Sequence, residues 1–227
     1  MPLIPEGELQ KRMNALVRTR SPLTPAPPAA RPRSSAEPRR PRTGDRSLEE
    51  VLQRRRSVRE FCPEPIPWNA VSDVLRQAER AFAGTWPGTN GPPLHPLMPM
   101  LGLRRVRGVR YGLYRMPVLE NAPASRHVAE IPSEVTHNYA DAPVLVFIGG
   151  PVAAVTGSSY GELLTRAAAY GHSVWLAARS SGLECSVFAL PNFRVTEAMR
   201  HQDAVMRHVF TVAVGRPMGD PSSTDTS

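Results

Sequence analysis

The sequence predicts an α+β fold, and three stretches carry that expectation. Ser47-Leu48-Glu49-Glu50 opens a helix. Ser47 can accept from the backbone, and Glu50 three residues later can reach back, the reciprocal arrangement of a capping box. Pro143-Val144-Leu145-Val146-Phe147-Ile148-Gly149 is a short, wholly apolar run, which suits a strand buried on both faces. Tyr160 to Gly182 is the longest helical pattern, with Leu164, Ala167, Ala168, Gly171, Val174, Trp175 and Ala178 on one broad face. Gly182 is a natural stop for it.

The remaining elements fall around these three. Ile4 to Val17 can form a short helix, with Leu9, Met13 and Leu16 roughly on one face. From Arg18 to Arg46 the chain turns to Pro, Arg, Ser and Ala, which cannot bury enough apolar surface to fold. Val71 to Ala83 reads as a second amphipathic helix, joined to the first through Pro65-Ile66-Pro67-Trp68-Asn69. Gly84 to Pro99 reads as a loop. Leu103 to Met116 reads as a hairpin, with Arg107-Gly108-Val109-Arg110 near its turn. Cys185 to Ala189 and Val209 to Gly215 read as strands, with a short helix from Val195 to Met206 between them. The expected organisation is a disordered basic tail at 1–46, one folded domain at 47–218 and a polar tail at 219–227.

Composition narrows the function. With 227 residues and 41% hydrophobic content, the chain can build a real core. Cys62 and Cys185 are too few for a disulfide framework and have no zinc-site spacing, so two free thiols are expected. The run from Ala142 to Val155 is too short to span a bilayer, and the N-terminus has no apolar signal core. A soluble, cytoplasmic protein is therefore expected. The net charge is +8. Residues 1–46 hold ten basic and four acidic side chains, so the basicity belongs to the tail, and a nucleic-acid role for the domain is disfavoured.

The densest chemistry lies in Arg54-Arg55-Arg56-Ser57-Val58-Arg59-Glu60-Phe61. Arginine presents a forked set of donors that matches phosphate oxygens, and serine adds a small hydroxyl donor. A chain leaving a helix with this spacing can wrap a phosphate and an adjoining sugar-like chain; a solvated basic turn would use the same residues. His172 on an apolar helix reads as a hydrogen-bonded structural residue. His201 and His208, seven apart, can share a helix face, but no third ligand is evident and no metal is proposed.

With these pieces placed, the chain resembles the nitroreductase family of flavin mononucleotide (FMN) oxidoreductases over about residues 47–217. The start matches: a helix, Arg55-Arg56-Ser57-Val58-Arg59, then Phe61, Pro63, Ile66-Pro67 and a helix with Leu75 and Ala78. Within the family it looks most like the SagB-type dehydrogenases, through Leu94-His95-Pro96-Leu97, Val106-Arg107-Gly108 with Gly112-Leu113-Tyr114, and Tyr160-Gly161, Gly171-His172, Leu176-Ala177-Ala178 and Gly182-Leu183. The resemblance implies a mixed central sheet flanked by helices, with the long helix at the core of a homodimer whose subunits share the FMN sites. It implies that Arg55, Arg56, Ser57 and Arg59 hold the FMN phosphate and ribityl chain, joined by Arg216 in Gly215-Arg216-Pro217. It also implies that the loop at Gly182 and Leu183 approaches the flavin ring with its backbone N–H groups.

SagB-type enzymes are similar to dehydrogenases that oxidise azoline rings in a ribosomal peptide to azoles. The reaction needs a base for the ring proton and a flavin for the hydride. Family members often present a Lys-Tyr pair before the long helix; here the pair is Ser159-Tyr160. Tyr160 is the candidate catalytic residue. An ordinary phenol ionises near pH ~10, so as a base it needs a cationic neighbour. Arg166 and His172, six and twelve residues on, do not clearly replace the lysine.

Three other readings remain open. The chain can be the subunit of a cyclic dipeptide oxidase working with a smaller partner. A generic NAD(P)H nitroreductase fits less well, because the usual S-x-x-N-x-Q-P-W segment is absent from residues 81–99. A degenerate flavin-fold scaffold could bind a partner synthetase, a leader peptide or nucleic acid through its basic tail; for the enzyme, the expected partner is a second biosynthetic subunit or a cyclodehydratase.

Overall fold

A computed structural model describes residues 48–53, 56–85, 96–116, 127–132, 134–155 and 157–218. The expected tails, Arg54, Arg55 and the segment with His95 lie outside the described residues. The elements are α1 (Leu48–Gln53), β1 (Ile66–Pro67), α2 (Trp68–Thr85), β2 (Met98–Leu103), β3 (Val106–Arg107), β4 (Gly112–Arg115), β5 (His127–Ala129), α3 (Val135–Asn138), β6 (Val144–Gly150), α4 (Ser158–Ser180), β7 (Glu184–Phe188), α5 (Phe193–Arg200) and β8 (Arg207–Gly215).

Six strands form one sheet in the order β5-β4-β2-β6-β8-β7. All five pairings are antiparallel, and the parallel pair is the separate two-residue ribbon of β1 and β3. Every residue of β6 is buried, as its apolar run predicts. Side chains alternate across a strand, so β6 feeds two cores. Val144, Val146 and Ile148 meet Val71, Val74 and Leu75 of α2 and Ala167, Val174 and Ala178 of α4. Leu145 and Phe147 face the other way, toward Val135 of α3 and Val195, Ala198 and Met199 of α5. The fold is therefore helices on both faces of a central antiparallel sheet.

The long helix expected from Tyr160 is α4, and Gly182 does end it. At φ 77° Gly182 adopts a left-handed conformation that side chains other than glycine resist. Gly171 has a different reason to be glycine: a Cβ there would lie 2.4 Å from Phe210 Cε1, so α4 sits directly on β8.

Several expectations need correction. The stretch read as loop to Pro99 already contains the start of β2. Pro99 is tolerated because its carbonyl accepts from Met116 on the β4 side, beyond the β4 ladder, so its missing N–H leaves no strand bond unmade. The helix expected to reach Met206 ends at Arg200, and a turn carries 201–205. His201 and His208 therefore do not share a helix face; one caps α5 and the other is buried in β8. The small-residue face of α4 is mostly interior to the subunit: Ala167, Val174, Trp175 and Ala178 are buried, while Leu164 and Ala168 are exposed. Among the described residues no helix is long and apolar enough to cross a membrane.

Candidate functional site

From Arg56 on, the basic motif runs along the free edge of the sheet. Val58 N–H donates to Cys185 O at 3.0 Å, Cys62 N–H to Arg216 O at 2.9 Å, and Met218 N–H to Glu60 O at 3.2 Å. Phe61 bridges to Pro217. These bonds bring the segment 56–62, the start of β7 and the end of β8 to one place. Arg56, Ser57, Arg59 and Arg216 are all exposed there. Among the described residues none of the three arginines is in an ion pair. Glu60 is exposed in the same segment but pairs with none of them, and three cations and a hydroxyl left outside any described ion pair suit a phosphate.

A buried ion pair anchors this edge from behind. Arg179, in the last turn of α4, meets Glu184 at 3.0 Å, with both side chains nearly enclosed. Cys185, next in sequence, is buried, and burial pushes its thiol well above the usual range, with Glu184 acting in the same direction. Both cysteines are free; Cys62 Sγ donates to Pro217 O at 3.0 Å.

Gly182 and Leu183 stand beside this edge but spend their backbone donors elsewhere. Gly182 N–H donates to Arg179 O and Leu183 N–H to Ala178 O, closing α4, and the Leu183 side chain is buried. The free backbone groups lie further along β7. Cys185 turns its carbonyl outward to Val58, so by the two-residue repeat of a strand Val187 presents its N–H and C=O on the same edge. The Arg59 guanidinium reaches along that edge to within 5.9 Å of the Phe188 ring centre, a cation–π distance.

Beyond Phe188 the strand opens into a cavity of about 660 Å³. Tyr160, Leu164 and Ala168 of α4 form one wall, Ala189, Pro191, Asn192 and Phe193 a second, and Arg207 to Phe210 of β8 a third. Tyr160, in the first turn of α4, lines the cavity and is 45% exposed. The structure thus places the candidate catalytic residue and the basic edge at two ends of β7. Arg166 is buried in α4 and does not line the cavity; His172 is exposed and stands edge-on to Trp175. The cation that shares the Tyr160 cavity is Arg207, 47 positions later, which no local pattern singles out.

The second wall is held from below by His208. The strand register slips between Ile148 and Gly149, so Val209 bulges out of the ladder and His208 turns to the face opposite Phe210. His208 Nδ1 accepts from Asn192 N–H at 2.9 Å, which requires the neutral ring with its proton on Nε2. Nε2 then faces Phe210 O at 3.0 Å and Thr211 Oγ1 at 2.8 Å. Burial lowers the His208 pKa to about 4, against a smaller opposing effect of the Phe210 carbonyl. Asn192 caps α5 through Val195 N–H at 3.0 Å, and Tyr139 donates to Leu190 O at 2.6 Å. Among the described residues no group of three metal-ligating side chains occurs.

No family model and no curated protein matches the chain. Solved structures do. The chain is similar to a candidate nitroreductase from Ralstonia eutropha, with 21% identity, a TM-score of 0.59, and 81% of this chain and 89% of that one covered. It is also similar to a candidate nitroreductase from Anabaena variabilis, with 19% identity and a TM-score of 0.55. There 75% of this chain is covered, and it spans only 38% of the other. The architecture is therefore the nitroreductase-like fold.

Proposed function

We propose that this nitroreductase-like chain is an FMN-dependent oxidoreductase acting on a peptide-derived substrate, and that the reaction is dehydrogenation of azoline rings to azoles. One observation carries the reading. Arg56, Ser57, Arg59 and Arg216, none of them ion-paired with a described residue, stand at one end of the free β7 edge, and a cavity that contains Tyr160 lies past the other end. FMN needs a phosphate site, a polar edge for its ring and room for a substrate; the cluster, the outward groups of Val187 and the cavity match these needs in that order. When bound, FMN supplies the hydride acceptor.

The chain's own residues do the rest. Arg56, Ser57 and Arg216 hold the phosphate. Arg59 places a positive charge beside the ring's polar edge. Tyr160 is the acid–base residue for the proton of the azoline ring carbon. The Tyr139 and His208 bonds keep the loop 189–192 in position as the cavity wall. Leu164 and Ala168, with Gly161 and His172, form an exposed strip along α4, and a second copy of the chain docking on that strip would close the cavity.

Incubation of the FMN-loaded protein with a thiazoline-containing peptide tests the reaction. The reading expects a product lighter by two hydrogens and dependent on Tyr160. Turnover of cyclic dipeptides or nicotinamide alone, with azoline peptides untouched, would replace the assigned substrate.

A further inference from the structure

The cavity wall has a charge pattern that the proton and hydride chemistry leaves unused. None of the described lining residues is acidic, and Arg207 is the permanent cation among them. Most of the other polar groups are already spent. Asn192 Oδ1 accepts from Val195, Thr196 Oγ1 accepts from the His208 backbone, and both His208 ring nitrogens have partners. That leaves the Tyr160 hydroxyl and the Arg207 guanidinium. Arg207 is exposed and is in no ion pair with a described residue. The rest of the surface facing it is alkyl or aromatic, from Leu164, Ala168, Phe193 and Phe210.

We propose that this cavity selects an apolar, ring-bearing ligand that carries one carboxylate, with Arg207 pairing the carboxylate and the apolar walls enclosing the ring. The inference rests on the reading above and adds the class of its substrate. A volume of about 660 Å³ suits a small molecule or a two- to three-residue end of a peptide. A guanidinium matches a carboxylate in two parallel hydrogen bonds. A neutral or cationic ligand would leave Arg207 without a partner.

The test uses the full chain with FMN added, its content read from the visible spectrum of the same sample. Calorimetric titration compares 2-naphthoate with the isosteric neutral 2-naphthamide. The proposal expects naphthoate to bind at least about tenfold more tightly. Arg207→Gln should bring the two ligands within about threefold while leaving naphthamide affinity unchanged. Arg200→Gln, on the exposed end of α5 outside the cavity, should keep the full discrimination. Equal affinities in the native protein, no binding of either ligand, or loss of discrimination in the Arg200 variant would each overturn the proposal. Discrimination in a protein that takes up no FMN would uphold the ligand class and sink the flavin reading. An FMN-loaded protein without discrimination would do the reverse.

Discussion

Tyr160 and His208 line the same cavity and do opposite things there. Tyr160 is exposed and is the acid–base residue of the proposed reaction, whereas His208 is neutral, buried and locked between loop and strand. Tyr160→Phe keeps the ring and removes only the hydroxyl. It should lower turnover of the azoline peptide by about 100-fold or more, with bound FMN unchanged by absorbance. Unchanged turnover would remove Tyr160 from the chemistry. For His208 the folded pKa, about 4, lies below the ordinary value of 6.5. The unfolded chain therefore binds more protons between these values, and stability falls as pH drops from about 6.5 toward 4. Chemical denaturation across that window should show a shallower pH slope in His208→Gln than in the native chain. Equal slopes would mean that the Asn192 bond does not hold the ring neutral.

At the scale of elements, α4 and β7 set the site between them. Arg179 joins the last turn of α4 to Glu184 at the start of β7, and the next residue receives the basic motif through Val58. Removing Arg179 leaves a buried carboxylate uncompensated, so Arg179→Ala should cost about 3–5 kcal/mol in urea denaturation. A cost near that of a surface pair, under about 1 kcal/mol, would show that the edge is not anchored here. Gly171→Ala should cost about 1–3 kcal/mol, because the added methyl meets Phe210 and either α4 or the ring must shift.

The same elements show what could be read from the residues alone. The centre of the fold was legible: β6 is apolar at every buried position, and α4 carries a long periodic face ended by a glycine whose positive φ demands one. The basic motif drew attention because four arginines and a serine fall within six residues, and of these Arg56, Ser57 and Arg59 are among the described residues, on the edge of the sheet. Short elements were not. β5 and α3 have three and four residues, too few to show a period, and Pro99 disguised the start of β2. The cavity was invisible for another reason. Its cation, Arg207, and its clamp, His208, lie at a strand start brought to α4 only by the sheet order and a bulge. Gly182 and Leu183 were expected to offer backbone N–H groups to the flavin ring, but the cap of α4 consumes those groups, a demand visible only once that helix is formed.

At the scale of the whole molecule, the account stands on one claim: the phosphate end and the reaction end of a flavin site lie along the same strand. The most direct measurement is the visible absorption spectrum of the purified protein after addition of FMN, with mass analysis of what is released. The account predicts a flavin spectrum with FMN near one per subunit, and affinity weakened at least about tenfold by Arg216→Gln, which removes a charged partner of the phosphate. A colourless protein that takes up no FMN would contradict it. So would FMN binding that is indifferent to Arg59→Gln and Arg216→Gln together, because the flavin would then sit somewhere other than this edge.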